Sequence, residues 1–148
     1  MEDRFETFTT QITKISRCIR KIKSGEMAEF NLKIAHVSCL YYLSQNDKLT
    51  AKELCDICDE DKAAISRSID YLEKEGYLVC SSKTEKRYKS PISLTEKGKE
   101  IGKRIEQKVD SIVNLASCGI SDEDRAIFYK SLKLISDNLQ NICDKYGE

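Results

Sequence analysis

Residues 63–80, AAISRSIDYLEKEGYLVC, change from a helical pattern to a strand pattern at a single glycine. Ile65, Ile69 and Leu72 are four and then three residues apart, so they form one apolar stripe on a helix. The other side of this helix carries small or hydrogen-bonding side chains: Ala63, Ser66, Arg67 and Asp70. The apolar residues 77–79 after the glycine predict a strand. The fold must therefore allow a short helix with a polar outer face to run directly into a strand.

Two capping signals lie just before this helix. In the segment LTAKELCDIC, Thr50 is the predicted N-cap and Glu53 follows three residues later, which is the spacing of a capping box. Asp61 can cap the helix that follows, after a turn of only a few residues beyond Cys58. The sequence therefore predicts two helices joined by a tight turn.

A hairpin is predicted after the second of these helices. Its strands are residues 77–81 and about 89–94, and its polar tip is the segment SKTEKRY. Pro91 cannot donate to a strand ladder, so we expect it to face outward on an edge strand. Helix, turn, helix and hairpin is the order of a winged helix-turn-helix.

Long amphipathic helices are predicted at both ends of the chain. One runs from about Phe5 to Gly25, and two more begin after Thr95 and Ser121. The central unit can cover only part of their apolar stripes, and such helices are marginal unless they are packed. We expect the helices of two chains to interleave in a two-fold dimer, although an intramolecular bundle would also cover the stripes.

The composition is that of a soluble chain of 148 residues, with 25 basic and 25 acidic side chains. The charges are unevenly distributed, because residues 14–23 hold five bases and no acid, and residues 83–89 hold four bases and one acid. The sequence lacks the roughly 18 consecutive apolar residues of a membrane span. The charged start MEDRFETF has no secretory pattern, so we expect a cytoplasmic protein with no membrane partner.

The polar face of residues 63–75 suits the major groove of DNA, which accepts one helix and is read by hydrogen-bond donors and acceptors. We expect this face to contact bases and the basic hairpin tip to contact the minor groove or the flanking phosphates. The predicted DNA-binding residues are Lys62, Ala63, Ser66, Arg67, Lys83, Lys86 and Arg87.

The segments LTAKELCDICDEDKAAISRSIDYLEKEGYL and SLTEKGKEI resemble the MarR family of bacterial transcription regulators. The resemblance implies a mainly α-helical domain over residues 1–148, with the winged helix-turn-helix at 33–95 and dimerisation helices at 1–25 and 96–148. It also implies a dimer on a pseudo-palindromic operator, with a ligand or an oxidant that changes the spacing of the two DNA-binding units. The wing of this family commonly reads Asp-Arg-Arg, and Lys86 stands in place of the aspartate here while Arg87 keeps an arginine.

The family often binds small molecules in a cleft, and the candidate effector contacts are His36, Cys39 and Tyr42. Seven cysteines without an export signal indicate reduced thiols. Cys18 is a candidate redox sensor, because the neighbouring bases Arg17, Arg20 and Lys21 favour a thiolate. Cys55 and Cys58 are interpreted as small core residues. A metal site would need more ligands than one histidine and this pair supply.

The resulting hypothesis is a homodimeric, sequence-specific DNA-binding regulator, a repressor released by a small ligand or by thiol oxidation. We expect no enzymatic activity and no cofactor, because no catalytic grouping or phosphate-binding loop is present. Two alternatives remain. The acidic segment DEDK favours a winged protein-interaction module, and the Cys55–Cys58 pair would suit a thiol redox protein.

Overall fold

The computed structural model describes residues 3–58, 60–81 and 89–147, and only the backbone of Phe5. Within these ranges the chain is mainly α-helical with one small antiparallel sheet. The elements are α1 (Arg4–Glu26), a short 3₁₀ turn (Ala28–Phe30), α2 (Ile34–Gln45), α3 (Ala51–Cys58), α4 (Lys62–Lys74), β1 (Leu78–Cys80), β2 (Ile92–Leu94), α5 (Glu96–Ala116) and α6 (Asp122–Asp144). The chain divides into two compact units, Met1–Val109 and Asp110–Glu148.

The helix starts at α3 and α4 confirm the predicted caps. The Thr50 N–H donates to Glu53 Oε2 at 2.7 Å, and the Glu53 N–H donates to Thr50 Oγ1 at 3.2 Å, so both halves of the capping box form. Asp61 Oδ1 accepts a 2.6 Å hydrogen bond from the Ala64 N–H. A carboxylate at this position also interacts favourably with the positive end of the helix dipole.

The hydrophobic core of the first unit lies where α2, α3, α4 and the sheet meet. Leu40, Leu54, Ile65 and Leu72 are fully buried there, and Ile105 brings α5 to the same core. Burial of a side chain of this size stabilises the fold by roughly 1.5–3 kcal/mol. The predicted stripe of α4 is therefore the face that holds this helix against the other elements.

The two strands pair in antiparallel register, with Leu78 opposite Leu94 and Cys80 opposite Ile92. Both are shorter than the predicted 77–81 and 89–94, because regular pairing begins only at Ile92 on the second strand. The Pro91 side chain is exposed, as expected, and its carbonyl accepts a hydrogen bond from the Ser81 N–H. Leu49 forms a bridge on the other edge of β2 through two backbone bonds with Ile92.

The start of α5 is fixed against the start of the hairpin. Thr95 Oγ1 donates to the Gly76 carbonyl at 2.6 Å and accepts from the Gly98 N–H at 3.1 Å, which confirms Thr95 as the cap. Gly98 lies so close to β1 that a Cβ atom there would overlap the Tyr77 carbonyl oxygen. Gly76 itself has a φ of 80°, a conformation that favours glycine. These contacts set the direction in which the hairpin leaves α4.

The apolar stripe of α1 is exposed along its length. Phe8, Ile12, Ile15, Ile19 and Ile22 are each at least one-third accessible. The 23-residue helix α6 has no buried residue, and Phe128, Ile135, Leu139 and Ile142 are exposed. Two long helices therefore present apolar side chains that the single chain leaves accessible.

In the part of the chain that the structure describes, no helix is both long and apolar enough to cross a membrane.

Candidate nucleic-acid interface

The α4 helix divides cleanly into a buried face and an exposed face. Ile65, Ile69 and Leu72 are buried, as predicted, and Ser68 is buried beside them with its hydroxyl donating to the Ala64 carbonyl at 2.9 Å. The side chains predicted to face outward are all exposed: Lys62, Ala63, Ser66, Arg67 and Asp70. The exposed surface is narrow and polar, which is the shape that a helix needs to approach base edges in the major groove.

Arg67 lies near the middle of this exposed face. It makes no hydrogen bond or ion pair with any residue that the structure describes. Ala63 and Ser66 flank it with short side chains, so its guanidinium is accessible from outside. A guanidinium in this setting can donate two parallel hydrogen bonds to a guanine edge or to a phosphate.

The predicted wing residues Lys83, Lys86 and Arg87 lie outside the described residues. The residues on either side of this segment lie next to each other, since the Ser81 N–H donates to the Pro91 carbonyl at 3.0 Å. The hairpin therefore begins and ends on the same side of the first unit, and the assignment of these three residues to DNA contact stays a prediction.

An open cavity of about 690 Å³ lies between the end of α1, the start of α2 and one side of α4. Its lining contains two cationic side chains and no acidic one. The lining residues are Ser24, Ala28, Asn31, Leu32, Lys33, Ala35, His36, Ala64, Arg67, Ser68 and Tyr71. Arg67 thus belongs both to the exposed face of α4 and to this cavity.

His36 forms one wall of the cavity and is held from two sides. Its ring stacks on Tyr71 with centroids 4.3 Å apart and planes 4° apart, and its Nδ1 accepts a 3.1 Å hydrogen bond from the Lys33 N–H. The Tyr71 hydroxyl donates to the Asn31 carbonyl at 3.3 Å. The bond to Nδ1 places the proton of the neutral imidazole on Nε2.

Burial of His36, together with the charge of Lys33, lowers the pKa of this imidazole below its ordinary value of 6.5. The unfolded chain therefore binds a proton at a higher pH than the folded chain does, and the free energy of unfolding should fall as the pH drops below 6.5. His36→Phe keeps an aromatic ring and removes this titration. Urea unfolding at several pH values should give a flatter pH dependence below 6.5 for the variant than for the wild-type chain. The same pH dependence of the free energy of unfolding in both proteins would contradict a neutral, buried His36.

A comparison with known families agrees with the helix order, the hairpin and the outward face of α4. Residues 30–87 match the model of the MarR family, a range that includes the whole helix-turn-helix. Over this range the chain is similar to the MarR family. No curated protein matches the sequence.

Solved structures of transcription regulators share the fold over most of the chain. A MarR family regulator from Neisseria meningitidis is 17% identical, with a TM-score of 0.80 over 97% of this chain and 98% of its own. The transcriptional regulator PA3341 is 27% identical, with a TM-score of 0.80 over 90% and 98% of the two chains. A MarR family regulator from Listeria monocytogenes, complexed with a 26mer DNA, is 24% identical with a TM-score of 0.80 over 95% and 91%.

The three predicted effector contacts lie in different surroundings. Only His36 lines the cavity. Cys39 is fully buried, so the expectation that it faces a cleft is wrong. It lies on α2 one turn after His36, and its side chain is part of the hydrophobic core, as is that of Leu40. Tyr42 is half-buried and does not line the cavity, and burial raises the pKa of its hydroxyl.

Two cysteines of the first unit, Cys39 on α2 and Cys58 on α3, contact each other between the helices. The Cys39 and Cys58 thiols are hydrogen-bonded, and this bond together with burial raises the pKa of Cys39. The same bond lowers the pKa of Cys58. Cys55 and Cys58 are partly buried against the core, in agreement with their interpretation as core residues, whereas Cys18 is exposed on α1. The described residues contain no group of three potential metal ligands.

Several features of the site were not predicted from the sequence. Lys33, Asn31 and Tyr71 join His36 and Arg67 around the cavity, and these residues come from two separate segments, residues 31–36 and α4. Of the residues that the sequence suggested as effector contacts, only His36 lines this cavity. The bridge from Leu49 to β2 was missed because one paired residue leaves no alternating pattern to recognise.

Proposed function

We propose that this chain is a homodimeric transcription regulator that binds a specific, pseudo-palindromic double-stranded DNA operator. The exposed face of α4 is the observation that carries this proposal. The cap at its start and its buried stripe fix the helix in place, and its outer face is a short polar surface that includes the accessible Arg67. The match of residues 30–87 to the MarR family model and the similarity to the Listeria regulator complexed with DNA support the same role. In this role the protein acts in the cytoplasm and has no enzymatic activity.

Arg67 and Ser66 read bases in this proposal, with Lys62 and Ala63 beside them, while Lys83, Lys86 and Arg87 contact the flanking backbone or the minor groove. The carboxylate of Asp61 is turned toward the start of α4, where it accepts a hydrogen bond from the Ala64 N–H and its charge is partly offset by the positive end of the helix dipole. The dimer places two such faces roughly 34 Å apart, one turn of DNA. The exposed apolar stripes of α1 and α6 supply the surface on which two chains would pair.

The first test is a gel shift with the DNA upstream of the protein's own gene. A DNA-binding regulator should give a site-specific band that weakens steeply with salt, because phosphate contacts release bound counterions. A protein-interaction module, which the acidic segment at residues 59–61 would favour, should give no such band.

Arg67→Ala should weaken binding to the operator by about 1–3 kcal/mol and relax specificity at the base it reads. Arg67→Lys separates charge from geometry, because lysine keeps the charge and loses the two parallel donors. Measured affinities for the operator and for base-substituted operators should show that lysine restores little of the specificity. Full recovery with lysine would assign Arg67 to a phosphate.

Arg87→Ala should weaken binding to all sequences by a similar factor and reduce the salt dependence of the affinity. The slope of the affinity against salt concentration, measured on the operator and on random DNA, distinguishes this role from that of Arg67. Equal losses for both variants on random DNA would contradict the roles assigned to them.

We propose that the regulator is a repressor and that a small ligand or the oxidation of a thiol releases it. His36 is the ligand contact that we retain, because it lines the cavity beside α4. Cys18 is the candidate for oxidation because it is exposed on α1. A footprint with and without peroxide or a ligand tests release. Thiol titration of the folded protein tests the alternative redox role, since the partly buried thiols at Cys55 and Cys58 should react more slowly than the exposed thiols at Cys18 and Cys118 unless they form a redox site.

A further inference from the structure

The carboxyl end of α4 is held by the start of α5. Three consecutive backbone carbonyls, at residues 75–77, each accept a hydrogen bond from Thr95 or Lys97. Lys97 Nζ donates to the Glu75 carbonyl at 2.7 Å, and Thr95 Oγ1 donates to the Gly76 carbonyl at 2.6 Å. The Thr95 N–H donates to the Tyr77 carbonyl at 3.1 Å. We call these three bonds the α4–α5 joint.

Lys97 makes a second contact within this joint. Its Nζ lies 4.4 Å from the centroid of the Tyr77 ring, where an ammonium group is attracted to the face of the ring. Its charge also lies at the carboxyl end of α4, where the helix dipole is negative. Lys97 is exposed, yet a carbonyl and a ring hold its side chain in one position. It therefore binds both the end of α4 and the residue that leads into β1.

The angle at this joint controls where the exposed face of α4 lies. The helix has 13 residues, so its length is roughly 20 Å. A rotation of about 10° at its carboxyl end would move its amino end by about 3 Å, which is close to the rise of one base pair. Lys62 and Ala63 lie at that amino end. A small loosening of the joint is therefore enough to shift the predicted DNA contacts by one base pair.

We propose that Lys97 is a positioning residue that fixes the angle between α4 and α5, and that this angle sets the half-site spacing which the dimer accepts. Lys97 acts through the carbonyl of Glu75 and contacts no base in this role. On the other side of the joint, Ile105 anchors α5 in the core. The effect on spacing rests on the dimeric DNA-binding function proposed above, whereas the fixing of the joint does not.

The joint is tested first without DNA, by amide hydrogen exchange in the full-length protein. The Gly76 and Tyr77 N–H groups report on it, because they donate to carbonyls in the last turn of α4. Lys97→Met keeps the aliphatic stem and removes the donor, and it should speed the exchange of these amides about tenfold, the effect of losing one hydrogen bond from a charged donor. Lys97→Arg should restore the wild-type rates. Wild-type rates in Lys97→Met would overturn the joint.

The matched control is Lys99→Met. It removes the same charge two positions later in α5, where Lys99 pairs only with the exposed Glu96 among the contacts that the structure gives it. Any general loss of attraction between the protein and DNA is therefore common to both variants. Lys99→Met should leave the exchange of the Gly76 and Tyr77 amides unchanged.

The effect on spacing is tested with three operators: the natural one, and versions with one base pair inserted or removed between the half-sites. For each protein, the dissociation constant of an altered operator is divided by that of the natural operator. A lower content of folded dimer weakens binding to all three operators equally and cancels in this ratio. The ratio should fall by about tenfold in Lys97→Met, because the loosened joint lets α4 follow a displaced half-site. Lys97→Arg and Lys99→Met should keep the wild-type ratio.

Two results would overturn the role in spacing. One is a wild-type protein that binds all three operators equally well. The other is a Lys97→Met variant that binds every operator more weakly by the same factor, because that pattern shows only a loss of charge or stability. If the exchange rates changed as expected but the wild-type protein bound no DNA, the proposed function would fail while the role of Lys97 in the joint would stand.

Discussion

Leu139→Lys on α6 is expected to convert the proposed dimer into single chains and to lower the affinity for the proposed operator by about 10²–10⁴-fold. Leu139 is 48% exposed in the single chain, within the apolar stripe that we assign to the second copy. The two-fold symmetry of a dimer would bury two lysines, and a buried unpaired charge costs several kcal/mol. Single chains lose the gain from engaging two half-sites together. Sedimentation at micromolar concentration and a gel shift measure the two effects.

Asn141→Lys is the matched control for this prediction. It introduces the same charge on the same helix, about 200° around the axis from Leu139. The variant should remain dimeric and bind DNA as the wild-type chain does. A wild-type chain that sediments as a single polypeptide at micromolar concentration would remove the basis of the proposed function.

Gly98→Ala is expected to destabilise the protein by on the order of 3 kcal/mol, because an added Cβ overlaps the Tyr77 carbonyl oxygen. Relief of that overlap would have to move the start of α5 away from the hairpin and strain the bonds of Thr95. The intrinsic helix preference of alanine offsets only about 1 kcal/mol. Urea unfolding at a fixed chain concentration measures the loss.

Gly25→Ala provides the comparison, because Gly25 is also helical and no atom lies within 4 Å of its added Cβ. This variant should be as stable as the wild-type chain or more stable by up to about 1 kcal/mol. Similar stability for both variants would contradict the close approach of α5 to β1.

Local patterns in the sequence predicted the helix-turn-helix well. Thr50, Glu53, Asp61 and Thr95 all cap helices as expected, because a cap depends on residues only three positions apart. The order of elements then resembled the MarR family, and the family match agrees. The strands were predicted too long, since the residues that pair across a hairpin depend on the register between the two strands, which the pattern within each strand does not reveal.

The candidate site was predicted only in part, because some of its residues meet through the packing of separate helices. The exposed face of α4, including Arg67, follows from helical periodicity alone. The cavity does not, because Lys33, His36 and Tyr71 meet only after α2 packs on α4. Packing also decided Cys39, which periodicity placed on α2 without indicating whether a cleft or the core lay beside it.

The sequence by itself determined the elements, their caps, the buried stripe of α4 and the apolar stripes that need a partner, because each depends on residues a few positions apart. Only the tertiary structure decided that Arg67 lies both on the exposed face of α4 and in the lining of a cavity, that His36 is held between the Tyr71 ring and the Lys33 N–H, and that Gly98 must lack a side chain. These depend on distances between segments far apart in the chain, which no local pattern encodes.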